Sequence, residues 1–126
     1  MTQAVLEGVA FSLRDCLDAL TDSGTHIDSA DVIGGGSRSH AWIAIIAAVL
    51  DLPMHRLAAG EQGPAFGAAR LARMAVTNEA PDAVCTPSVR EETILPDPAL
   101  VEAYARRIVE YRSLAAVATL RTEPAG

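Results

Sequence analysis

Between Asp31 and Ile46 the sequence reads DVIGGGSRSHAWIAII: an apolar run, three consecutive glycines, a short polar stretch, then a second apolar run. Glycine costs backbone entropy wherever it is fixed, so three together mark a tight turn, a close approach of backbone to another group, or flexibility. A strand, a glycine-rich turn and a helix start form a recurrent phosphate or nucleotide site. The glycines let a ligand touch backbone, and the helix start offers unpaired N–H donors with partial positive charge. The turn is not a P-loop, because no Lys-Ser/Thr pair follows at G-x-x-x-x-G-K spacing, and GGGSRS departs from the G-x-G-x-x-G dinucleotide fingerprint. Local chemistry therefore leaves two readings, a nucleotide site or a structural turn.

The flanking elements decide what the turn can be attached to. From Thr2 to Leu20, Val5, Leu6, Val9, Leu13, Cys16, Leu17 and Leu20 recur at the three-and-four spacing of an amphipathic helix, and TDSG ends it. Ala30 to Ile33 is short, apolar and stopped by glycine, which suits a buried strand. Ser37 or Ser39 can cap the next helix, which Trp42, Ile43, Ile46, Ala47 and Leu50 continue. Leu52 to Leu57 alternates as a second strand with Pro53 at its start, and GEQGP leads into a helix from Pro64 to about Val76. That helix carries Ala65, Ala68, Ala69 and Ala72, a small face that a neighbour can approach closely. Asn78 to Pro98, with four prolines and the acidic pair Glu91 and Glu92, reads as a long connection wrapping a surface. A last helix runs from Ala99 to Thr119, and RTEPAG is expected to fray after it. The fold class is α/β, with about four helices and two short strands in one domain.

Composition narrows the partners. The chain has 126 residues, half of them apolar, enough for one core and too little for two. A net charge of −6 and ten scattered arginines, with no lysine, give no footprint for nucleic acid. Cys16 and Cys85 are far apart and no Cys/His cluster has zinc-ligand spacing, so both read as ordinary thiols in a reducing compartment. The first residues, MTQAVLEG, lack a basic segment followed by an apolar one, and no apolar run approaches the roughly eighteen residues that span a bilayer. A cytoplasmic location, away from membranes, is the expectation. Asp15, Asp18, Asp28, Asp31 and Asp51 fall on helix faces or in turns and read as solvated surface or caps, and Arg14 as an exposed helical residue.

AVLEGVAFSLRDCLDAL, DVIGGGSRSHAWIAIIAAVLDLPM and GEQGPAFGAARLA, in this order and at these intervals, resemble the C-terminal portion of bacterial xylulokinases in the FGGY carbohydrate kinase family. The resemblance covers roughly Gln3 to Ala118. It implies the C-terminal lobe of a ribonuclease-H-like, actin-like ATPase fold, and an enzyme that transfers the γ-phosphate of ATP to a sugar hydroxyl with magnesium.

On that resemblance, residues 1–77 form the nucleotide-binding portion, 78–98 a proline-rich wrapping loop and 99–120 a C-terminal helix, with the catalytic N-terminal lobe outside the chain. Gly34, Gly35, Gly36 and Ser37 take the family's adenosine motif, with Gly36 and Ser37 its centre. His40 takes a position where the family often has Asn at the adenine edge; imidazole there could stack or donate instead. Gly63, Gly67 and Ala68 belong to the connecting helix between lobes. The catalytic base, phosphate clamps and magnesium ligands are assigned upstream, so the chain alone should be inactive and should self-associate through the surface meant for the missing lobe. The alternative is a free-standing, non-catalytic module that binds a nucleotide or a partner chain.

Overall fold

The computed structural model describes residues 2–58, 60 and 63–120. RTEPAG lies outside the described residues, as do Glu61 and Gln62 of the GEQGP linker. Helix α1 (Thr2–Asp22) leads to strand β1 (Ala30–Val32), a 3₁₀ turn (Gly35–Arg38), helix α2 (His40–Leu50) and strand β2 (Met54–Leu57). Helices α3 (Gly63–Thr77) and α4 (Pro81–Val84), strand β3 (Arg90–Ile94) and helix α5 (Pro98–Leu120) follow.

The α/β class stands, and the element count is corrected. The segment 78–98, expected to be one wrapping loop, contains a one-turn helix and a strand, so the sheet has three strands in the order β1-β2-β3. β1 runs parallel to β2, and β3 pairs antiparallel with β2. The prolines sit between or at the start of these pieces: Pro81 opens α4, Pro87 lies in the link to β3, Pro96 follows β3 and Pro98 opens α5. A strand of five residues bounded by prolines can still pair with β2, because none of its own N–H groups is lost to proline.

Local chemistry accounts for the boundaries. α1 ends where Gly24 takes φ 91° and donates to Thr21 O, while Thr25 N–H reaches Leu20 O. Of the two candidate caps for α2, Ser39 does the work: its hydroxyl accepts the Trp42 N–H at 3.2 Å. At the other end Asp51 adopts the left-handed conformation, φ 55°, and its N–H returns to Ala47 O.

One face of the sheet carries the core, with Arg56 and Glu92 at its end nearest the glycine turn. Ala30, Val32, Met54 and Ile94 point toward α2, whose Ile43, Ile46 and Ala47 are buried against them together with Ala10 and Phe11 of α1 and Tyr104 of α5. Phe11 meets Tyr104 edge-on at 6.0 Å and Tyr111 at 5.3 Å. The other face is polar: Arg90 Nε donates to Asp31 at 3.0 Å, and His55 Nδ1 lies 2.8 Å from the Thr93 hydroxyl. No helix among the described residues is long and apolar enough to cross a membrane. α3 buries none of its residues, and Ala69 of its small face lines a cleft with Ala83 and Val84 of α4.

α5 is fastened to α1 by a buried carboxylate. Glu7 is only 3% exposed, and its oxygens accept from Arg107 at 2.8 and 2.6 Å, Gln3 at 3.0 Å and the Tyr104 hydroxyl at 3.3 Å. Burial pushes this carboxyl up, but hydrogen bonds from Gln3 and Arg107 outweigh it and hold it below the ordinary value of 4.5. A depressed folded-state value means the contribution is present above about pH 4.5 and is lost as pH falls through the lower folded value. Glu7→Gln should therefore lower stability at pH 7 by about 2 kcal/mol, and urea melts of variant and parent should converge as the pH falls well below 4.5.

Candidate functional site

The glycine turn sits where β1 and β2, being parallel, both end. Such carboxyl ends are the usual place for ligands in α/β sheets. Gly34 has φ 86°, a conformation side chains rarely adopt, and its N–H donates to Gly60 O at 2.7 Å. This bond joins the loop after β1 to the loop after β2. Gly63, at φ 49°, opens α3 with its Cα face against Gly34: a Cβ there would lie 3.6 Å from Gly34 Cα. A Cβ on Gly60 would stand 3.2 Å from Val32 O. Three backbones thus converge where only glycine lets them.

Within the turn the four predicted residues have distinct situations. Ser37 is buried, and its hydroxyl and N–H both return to Gly34 O, at 2.7 and 3.0 Å. Its hydroxyl therefore closes the turn. A Cβ on Gly36 would lie 3.1 Å from Trp42 Cδ1 and Nε1, so a side chain there would crowd the ring of α2. Gly35 is open, with nothing within 4 Å of a Cβ and a negative φ. Gly35 and Gly36 are both exposed. His40, in the first turn of α2, has a side chain 68% exposed and Nε2 3.7 Å from Glu92 Oε1.

Gly60 and Gly63 also line a cleft of about 210 Å³, walled by Ile33, Leu57, Phe66 and Arg70. The Arg70 guanidinium stacks 4.2 Å over the Phe66 ring and donates to Thr86 O. A larger cavity of about 320 Å³ lies away from the turn, between α1, α2 and α5. Three of the charges at its rim are paired: Arg14 binds Asp18 and Val49 O, and Arg112 binds Asp15 and Asp18. Asp15, Asp18, Asp31 and Arg14 are thus ion-pair members, and Asp51 is a helix cap, as the aspartate reading anticipated in part. Sequence reasoning missed Gly60 and the group Arg56, Glu91 and Glu92. The signal available was the alternation of LPMHRL and of REETI, which puts Arg56 and Glu92 on one sheet face.

These environments separate the glycines by experiment. Gly34→Ala should cost about 1–3 kcal/mol, because φ 86° with ψ −177° is open essentially to glycine alone, Gly36→Ala should require Trp42 to move, and Gly35→Ala should stay within about 0.5 kcal/mol of the parent in urea unfolding.

Residues 1–76 match the C-terminal domain of the FGGY family of carbohydrate kinases. The xylulose kinase of Escherichia coli K12 is 36% identical over 115 residues, covering 90% of this chain and 24% of that enzyme. A solved xyloylose kinase from Brucella ovis superimposes with a TM-score of 0.76 at 47% identity, covering 94% of this chain and 25% of the other. The xylulose kinase from Rhodospirillum rubrum gives 0.69 at 35% identity, over 90% of this chain and 23% of the other. The chain thus spans about a quarter of the length of these relatives. It shares their α/β fold, and it belongs to the FGGY family of carbohydrate kinases, within that family's C-terminal domain.

Proposed function

We propose that this chain is the ATP-binding part of a cytoplasmic kinase that converts D-xylulose and ATP to D-xylulose 5-phosphate and ADP. The observation that supports it most is the open Gly35 in a turn built at the carboxyl ends of two parallel strands, in a chain whose relatives are named xylulose kinases. On this reading the turn holds the adenosine and α-phosphate side of the nucleotide: Gly34 sets the sharp bend, Gly35 and Gly36 present backbone, Ser37 keeps the turn closed and His40 stands at the base edge.

Phosphoryl transfer is mostly positioning plus electrostatic stabilisation around an in-line displacement. The residues here position one reactant. Among the described residues no three His, Cys, Asp or Glu side chains could hold a metal ion together. Magnesium, the base for the sugar hydroxyl and the phosphate clamps belong, on this reading, to the part of the kinase that the relatives possess beyond the matched quarter. That part is also the partner for α3, whose Phe66, Leu71 and Val76 are exposed, and for the free edge of β1.

Titrating the 126-residue chain with ATP, followed by amide chemical shifts, should give millimolar affinity, about −4 kcal/mol. Gly35→Val should abolish the shifts while keeping the folded spectrum; unchanged shifts would reject the adenosine site. Sugar-dependent ATP turnover by this chain alone would reject the division of labour. Light scattering at micromolar concentration should show self-association through the uncovered α3 and β1 surface, and a concentration-independent monomer would count against that surface being an interface.

A further inference from the structure

α5 is held by elements that lie far from it in the chain. Its side-chain bonds end on α1: Arg107 and the Tyr104 hydroxyl on Glu7, the Tyr111 hydroxyl on Ser12 at 3.0 Å, and Arg112 on Asp15 and Asp18. Phe11 of α1 sits against the Tyr104 and Tyr111 rings, and α5 also packs along α2. What joins α5 to the strand before it is short. Ile94 closes β3 and Pro98 opens α5, with Leu95, Pro96 and Asp97 between them. Because Ile94 and Tyr104 share one core, the chain passes from the sheet layer to the helix layer within those three residues.

That link resists bending. The ring of Pro96 fixes its φ, and the prolines at 96 and 98 drive the residues before them, Leu95 and Asp97, toward extended backbone. Leu95 is 69% exposed, so its side chain is not what holds the bend. Asp97 caps α5, its carboxylate accepting the Ala99 N–H at 2.8 Å, and this cap travels with the helix.

We propose that two copies of this chain exchange α5 about Leu95–Asp97, each α5 docking on α1 and α2 of the other copy. The link then runs straight, as its prolines prefer. The bonds to Glu7, Ser12, Asp15 and Asp18 are the same in both forms, since α1 and α2 need an α5 and not the one from their own chain. Exchange therefore loses no contact and needs no new surface. It competes only with the effective concentration that the link gives a chain's own helix, on the order of millimolar for a short flexible tether and lower for one that stiffens away from closure. This association is distinct from one through the outer face of α3 or the edge of β1, and it does not rest on the nucleotide reading.

The test uses the parent chain. Isotope-labelled and unlabelled copies are unfolded together, refolded at millimolar concentration and separated by size. In the dimer, isotope-filtered cross-relaxation should connect labelled Phe11 with unlabelled Tyr104 and Tyr111, ring pairs whose centroids lie 6.0 and 5.3 Å apart. A dimer in which those contacts stay within one copy overturns the exchange, and so does a sample that remains monomeric. Pro96→Gly, which frees the link, should lower the ratio of dimer to monomer about fivefold, the scale of one proline's restraint, with the core shifts of the monomer unchanged. An unchanged ratio overturns Leu95–Asp97 as the hinge.

Discussion

The hydrogen bond from Gly34 N–H to Gly60 O, 2.7 Å long, is the constraint on which the rest of this architecture turns. Two parallel strands that stop side by side leave backbone groups without ladder partners, and buried ones must be satisfied. Here the loops that leave β1 and β2 satisfy each other. The approach is close enough that a Cβ on Gly60 would crowd Val32 O at 3.2 Å, and Gly34 makes it with a positive φ. Once that bend is fixed, the chain winds directly into the 3₁₀ turn, Ser37 is driven inward to close on Gly34 O, and Ser39 is left at the mouth of α2 as its cap. α3 starts from the same knot, because Gly63 packs on Gly34. The candidate site is the outer surface of this knot.

Much of this was legible in residue types. The helices over Thr2–Asp22, His40–Leu50, Gly63–Thr77 and Pro98–Leu120 announce themselves by apolar spacing, and the two parallel strands by short apolar runs cut off by glycine or turn residues. β3 was not legible. REETI buries only Ile94, its charges serve ion pairs with Arg56 and Asp31 rather than solvent, and prolines on either side suggest a loop to any local reading. Its stability comes from β2, which a local window does not see.

The site was half legible for the same reason. Three glycines before a helix point to the turn, but their division of labour depends on contacts made across the chain. Trp42 stands beside Gly36, Gly60 holds Gly34, and Gly35 has open space around it. His40 was identified by position, whereas the carboxylate beside it arrives on a strand that the sequence disguises. Arg14 and its aspartates show the converse. Residues that look like solvated helix surface form a network with Arg112, because α5 returns over α1 from the far end of the chain.

That return has a temporal consequence. Glu7 and Arg107 are 100 residues apart, so the contact that fastens α5 closes a loop spanning most of the chain. At a synthesis rate of about 10 residues per second, Glu7 is made on the order of ten seconds before its partner. During that interval Phe11 has neither Tyr104 nor Tyr111 beside it. What shelters the apolar face of α1 is α2, which carries Ile43 and Ala47 and is made within a few seconds of it. The order of synthesis therefore matches the order of need: the dry centre between α1, α2 and the parallel strands can form early, and α5 arrives as a latch on a core already assembled.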